Sequence, residues 1–138
     1  MLLILRRQRS FIMDKPKGFK ERIVEGAGNL SGGQKQRLSI ARALVRKPDI
    51  YIYDDSFSAL DMKTDAVLRQ ALKPEVKNAI VIIVAQRVST IMDADQILVL
   101  DEGRLAASGR HEELLKTCPL YYEIAASQLS EEELQNVC

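Results

Sequence analysis

The run Leu30-Ser31-Gly32-Gly33-Gln34-Lys35-Gln36-Arg37 has the composition of a helix tip stripped of side chains. Ser31 with Gln34 three residues later has the capping-box spacing, in which each side chain satisfies an end donor of the helix. Two glycines behind the cap leave backbone N–H groups bare at the positively polarised end of the helix, where an anion can approach closely. A bare Ser-Gly-Gly is equally satisfied by an ordinary capped helix. Further on, Ile50-Tyr51-Ile52-Tyr53-Asp54 reads as an apolar strand carrying a carboxylate at its C-terminal end, where parallel sheets bind ligands. A carboxylate there suits Mg²⁺, a hard cation that prefers oxygen and keeps part of its water. Asp55 comes next, and Ser58-Ala59-Leu60-Asp61 closes the loop. Gln86 follows the most apolar run, residues 79–85, and can point at the same ligand as Asp54. Asp101-Glu102 resembles Asp54-Asp55, but Gly103-Arg104 makes it a hairpin turn.

These groups need elements to hold them. Residues 11–30 contain Pro16, Gly18, Gly26 and Gly28 and read as a loop. The spacing predicts a helix from Ser31 that buries Leu38, Ala41, Leu44 and Val45 and stops at Pro48. A second helix is expected over 61–73. Residues 79–85 form an Ile/Val run of the kind buried on both faces in a parallel sheet. A short helix at 88–92, a strand at 96–100, a partner strand at 104–107, and helices at 111–116 and 120–127 complete the pattern. The tail from Ser130 reads as acidic and frayed. Strands alternating with helices over short links indicate an α/β fold with a mainly parallel sheet.

A length of 138 residues suits one packed domain and is too short for two. The formal net charge of +1 argues against a dedicated nucleic-acid binder, which carries a marked basic excess. Cys118 and Cys138 have no CxxC spacing and His111 is alone, so neither a zinc site nor a disulfide framework follows. The longest apolar run is about a third of a bilayer span, so no direct membrane insertion is expected. The apolar residues at the start precede Arg6-Arg7, the reverse of secretory signal order.

In order, spacing and context the motifs closely resemble the ABC transporter family, from about Phe11 to Glu133. Leu30 to Gln34 is similar to its signature motif, Ile50 to Asp54 to its Walker B strand and Ser58 to Asp61 to its D-loop. Gln86 sits where the family has its switch histidine. The later stretches Ser89-Thr90-Ile91, Asp93-Ala94-Asp95 and Gly109 to Leu114 resemble exporters of the multidrug type rather than SMC-type nucleic-acid ATPases, which would need flanking heptads. His111 in that match is a helix-start residue. The resemblance implies the C-terminal part of a P-loop NTPase fold, with a signature helix, small hairpin and terminal helices. It implies ATP and Mg²⁺ as cofactors of a complete composite site. Ser31, Gly32, Gly33 and Gln34 would contact the γ-phosphate of a partner's nucleotide, Asp54 would hold Mg²⁺, Asp55 and Gln86 would face the attacking water, and Asp61 would bridge the dimer interface. Implied partners are a second ABC subunit and a membrane-spanning domain, at the cytoplasmic face of the cell membrane, without nucleic acid.

Three departures qualify the match. The glycines at 18, 26, 28, 32, 33, 103 and 109 nowhere supply G-x-x-x-x-G-K-[S/T], so the chain is expected not to bind or hydrolyse ATP alone. Asp55 stands where the family has a water-polarising glutamate, and one methylene fewer retracts the carboxylate by about 1.5 Å. Gln86 can donate a hydrogen bond but cannot relay a proton. Asp55 with Gln86 resembles the degenerate subunit of bacterial heterodimeric exporters, in which each nucleotide lies between the phosphate loop of one subunit and the signature motif of the other. Residues 1–10 look unlike the family, and a back-translation read two bases later restores a helical stretch similar to what precedes Phe11 in exporters. The expectation is a frameshifted start at 1–10 and a partial ATPase domain over 11–138, with an inactive fragment of a disrupted gene as the alternative.

Overall fold

The computed structural model describes Arg9 and residues 11–135; most of the expected frameshifted start, 1–10, lies outside the described residues, as does Cys138. The described chain forms two compact units that divide between Val84 and Ala85.

In the first unit, residues 11–13 are helical rather than loop, and 3₁₀ turns at Gly18–Lys20 and Glu25–Ala27 follow. Lys15 Nζ donates to the Asn29 carbonyl at 2.6 Å, and Asn29 Nδ2 to the Arg22 carbonyl at 3.1 Å, which folds the loop onto itself. Helix α1 spans Gly32–Val45. Its buried side chains are Ile40 and Leu44, while Val45 is exposed and Leu38 and Ala41 only half-buried, so the expected stripe is rotated. Periodicity reveals a stripe, but the packing partners Tyr51, Tyr53, Leu68 and Leu72 choose which stripe is covered. Strand β1, Ile50–Asp54, turns Tyr51 and Tyr53 into that core and its isoleucines out. Helix α2, Met62–Leu72, adds Leu68 and Leu72 and a buried Asp65 paired with Arg69 Nε at 3.0 Å. Strand β2, Ile80–Val84, lies parallel to β1, with Ile50 opposite Ile80 and Asp54 opposite Val84.

The expectation that β2 is buried on both faces is corrected. Val81 and Ile83 pack on the core, but Ile80, Ile82 and Val84 are exposed, as are Ile50 and Ile52 beside them. Among the described residues, α1 and α2 cover only one face of this two-stranded sheet, so period-2 alternation puts every second aliphatic outside.

The second unit begins with a short helix, α3, at Val88–Ile91. Strands β3, Ile97–Asp101, and β4, Arg104–Gly109, form an antiparallel hairpin. Glu102 and Gly103 both have positive φ, 44° and 76°, the pattern of a two-residue turn with matching twist. Helices α4, His111–Thr117, and α5, Pro119–Ala126, pack over it through Leu114, Cys118, Tyr121 and Ala125. Where a frayed tail is expected from Ser130, the described residues form a further helix, α6, Glu131–Gln135. Ser130 caps it by accepting from Glu133 N at 3.3 Å, while Glu133 Oε2 accepts from Ser130 N at 2.9 Å. Among the described residues, no helix is long and apolar enough to cross a membrane.

Candidate functional site

The tip of α1 is built as the capping-box spacing requires. Gln34 N donates to Ser31 Oγ at 3.3 Å, and Ser31 N to Gln34 Oε1 at 3.0 Å. Ser31 and Gly32 are exposed. The glycines lie against the loop after β1: a Cβ on Gly32 would stand 3.4 Å from Ala59 Cβ, and one on Gly33 3.2 Å from the Ala59 carbonyl oxygen. Ser31, Gly32, Gly33 and Arg37 face Ala59, Leu60, Asp61 and Thr64 across a concavity of about 410 Å³. The dipole of a 14-residue helix, its first N–H groups and the Arg37 guanidinium all favour an anion there. Arg37 is itself held, with Nε donating to the Gly33 carbonyl at 3.3 Å and Cζ 5.0 Å from the centre of the Phe11 ring.

Asp61 borders the same concavity and caps α2 by accepting from Thr64 N at 2.9 Å. Hydrogen bonds from Thr64, side chain first and then backbone, hold its carboxyl below the ordinary value. It therefore faces the concavity as an ionised group fixed in orientation.

Asp54 ends β1 with an exposed side chain. Asp55 N extends the ladder by one rung, donating to the Val84 carbonyl at 3.0 Å, and then turns sharply at φ 47°. Aspartate is among the few non-glycine residues that tolerate this region. The loop is fastened to α1 by Gln36: Nε2 donates to the Asp55 carbonyl and to Ser58 Oγ, both at 3.1 Å, and Oε1 accepts from Ala59 N at 3.0 Å. Three such bonds contribute about 1 kcal/mol each. Gln36 is not among the site residues expected from the sequence. The available signal was helical spacing, which puts it on the face of Gly32 and Gly33.

No group of three or more His, Cys, Asp and Glu side chains gathers among the described residues. Asp54, exposed at a strand end and followed at once by Asp55, fits Mg²⁺, which needs one or two carboxylates and otherwise keeps water, better than Ca²⁺.

Gln86 belongs to the second unit, with its side chain exposed. Its carbonyl accepts from Gln128 Nε2 at 3.0 Å, and Gln128 Oε1 accepts from Val88 N at 2.9 Å, so one amide clips both sides of Arg87. The structure thus brings Ser31, Gly32, Gly33 and Asp61 to one concavity and ties Asp55 to it through Gln36. Gln34 serves the cap. His111 opens α4 as expected, buried, with Nδ1 2.8 Å from the Tyr121 hydroxyl oxygen.

The sequence profile of the ABC transporter family matches residues 7–58. An uncharacterised ABC transporter ATP-binding protein of Mycobacterium tuberculosis is 50% identical over 111 residues, covering 80% of this chain and 19% of the relative. An uncharacterised ABC transporter ATP-binding protein of Bacillus subtilis is 46% identical, covering 88% of this chain and 21% of its own length. The ABC multidrug transporter MDR2 of Trichophyton rubrum is 46% identical over 86% of this chain and 9% of its own length. The solved structure of a bacterial Atm1-family ABC exporter with ATP bound superposes with a TM-score of 0.82 at 43% identity, covering 88% of this chain and 21% of that one. The chain spans about a fifth or less of the length of each of these relatives. With the order of elements, the capped double-glycine tip and the strand ending in Asp54 all in place, the chain belongs to the ABC transporter family, as part of an ATP-binding domain of the exporter type.

Proposed function

We propose that this stretch serves the ATP-hydrolysing domain of a membrane exporter, at the cytoplasmic face, by completing a nucleotide site whose phosphate loop lies on a second, different subunit. The observation that supports it is the concavity at the α1 tip, exposed and lined by Ser31, Gly32, Gly33, Arg37 and Asp61. Bare N–H groups and one guanidinium complement a terminal phosphate presented from outside the chain.

On the chain's own side, Asp54 would hold Mg²⁺, which when bound neutralises charge on the phosphates. Asp55 orients water from about 1.5 Å further back than a glutamate. Gln86 donates a neutral hydrogen bond in place of a histidine's. Both features slow this chain's own site, while its tip keeps every feature needed to serve the partner. The mutational test is asymmetric. Ser31→Arg in the full-length subunit is expected to abolish ATP turnover, and Asp55→Asn to leave most of it. Equal loss in the two variants contradicts the division of labour.

A second reading is that the 138-residue chain has no activity of its own. The uncovered aliphatic face of the parallel sheet favours it. ATP binding by the isolated chain separates the two, and none is expected.

A further inference from the structure

Gln34, Lys35 and Gln36 leave α1 about 100° apart and are used differently. Gln34 closes the cap on Ser31. Lys35 Nζ donates to the Gly26 carbonyl at 3.0 Å, along the approach to the helix. Gln36 reaches across to a different segment, the loop from Asp55 to Ala59.

The two ends of that loop do different things. Asp55 follows the Asp54 carboxylate directly and carries the sharp turn, its carbonyl also accepting from Ser58 Oγ at 3.0 Å. Ala59 is the residue against which Gly32 and Gly33 pack, one wall of the concavity. A carboxamide is planar, so its oxygen and nitrogen move together. A displacement of the Asp55 carbonyl is therefore passed through the Gln36 amide to the Ala59 N–H. The hydrogen bonds of the amide all go to the loop, so Gln36 acts by holding other groups.

We infer that Gln36 is a positioning residue that couples the Asp54–Asp55 end of the loop to the concavity at the α1 tip, so that filling this chain's own carboxylate site alters the grip of its tip on a phosphate held by the partner. The inference rests on the composite-site reading above and adds to it a route of communication inside one chain.

The test uses the full-length subunit assembled with its partner, with ATP as the probe. Gln36→Ala is expected to lower kcat about 10-fold or more, the scale of a misplacement of an ångström or less, with KM for ATP within about twofold. Gln36→Glu is expected to be as impaired, because a carboxylate has no N–H for the Asp55 carbonyl and repels it. A wild-type kcat in either variant, or a loss that falls on KM alone, overturns the inference; should Gln36→Ala not fold, Gln36→Glu decides. Ser31→Arg measured alongside separates the two levels. If it abolishes turnover while both Gln36 variants run normally, only the coupling is wrong. If Ser31→Arg turns over normally, the composite site and the coupling built on it both fall.

Discussion

Gly33 is packed against the backbone of Ala59, so closely that a methyl group on it would stand 3.2 Å from the Ala59 carbonyl oxygen and 3.3 Å from Leu60 Cδ2. Gly32, one residue earlier, has ordinary contact at 3.4 Å with Ala59 Cβ. Replacing glycine by alanine in a helix gains up to about 1 kcal/mol. Gly32→Ala is therefore expected to raise stability by about 0.5 kcal/mol, the gain being smaller at a helix end. Gly33→Ala should gain nothing, because a carbonyl must retreat, and it should distort the concavity. Urea denaturation of the two variants checks this; equal gains would contradict the packing.

Tyr53 is buried in the first core with no hydrogen-bond partner for its hydroxyl among the described residues. Burial, reinforced by Tyr51, pushes its phenol up to about 12. Its ring packs against Phe57, 5.5 Å between centroids, so the ring is what the core uses. Tyr53→Phe should stabilise the chain by up to about 1 kcal/mol by removing an unpaired polar atom. A loss of that size in thermal or urea unfolding would mean that the hydroxyl is paired.

His111 is held neutral by burial, which outweighs the opposing pull of Glu112 and Asp93 and sets its pKa below the ordinary 6.5. An unfolded histidine takes up its proton near 6.5, and the buried one only at lower pH. The stability from neutral His111 is thus fully present above 6.5 and lost as pH falls towards the folded value. The urea midpoint of the wild type should fall relative to His111→Phe as pH drops from about 8 to about 5. A wild type that gains on the variant under acid would show the opposite sign.

Local relationships were legible in the chain, and distant ones were not. The Ser31–Gln34 box and the Glu102-Gly103 turn involve residues within three positions of each other, and both formed as their chemistry dictates. Ser130 and Glu133 carry the same capping signal, yet the acidic run around them masked it. Ile40 was missed because neighbouring helix positions look alike until a core chooses between them. The site's residue types came from resemblance. Gln36 escaped notice because its partners lie 19 to 23 residues away, and sequence spacing says nothing about such a contact.

The parallel sheet leaves Ile50, Ile52, Ile80, Ile82 and Val84 side by side and between 47% and 68% exposed. Contiguous aliphatic patches of this kind drive association in water. The isolated chain is expected to self-associate, and Ile52→Thr with Ile82→Thr to shift it towards monomer in sedimentation velocity. An unchanged distribution would mean that another surface is responsible.

Disulfide trapping reports whether the α1 tip faces a phosphate loop on another polypeptide. Ser31→Cys in the full-length subunit is paired with a single cysteine in the partner's phosphate-binding loop, and the assembly is oxidised with and without ATP and Mg²⁺. Cross-linking strongly enhanced by nucleotide is expected. No cross-link in either state, or one indifferent to nucleotide, would contradict it.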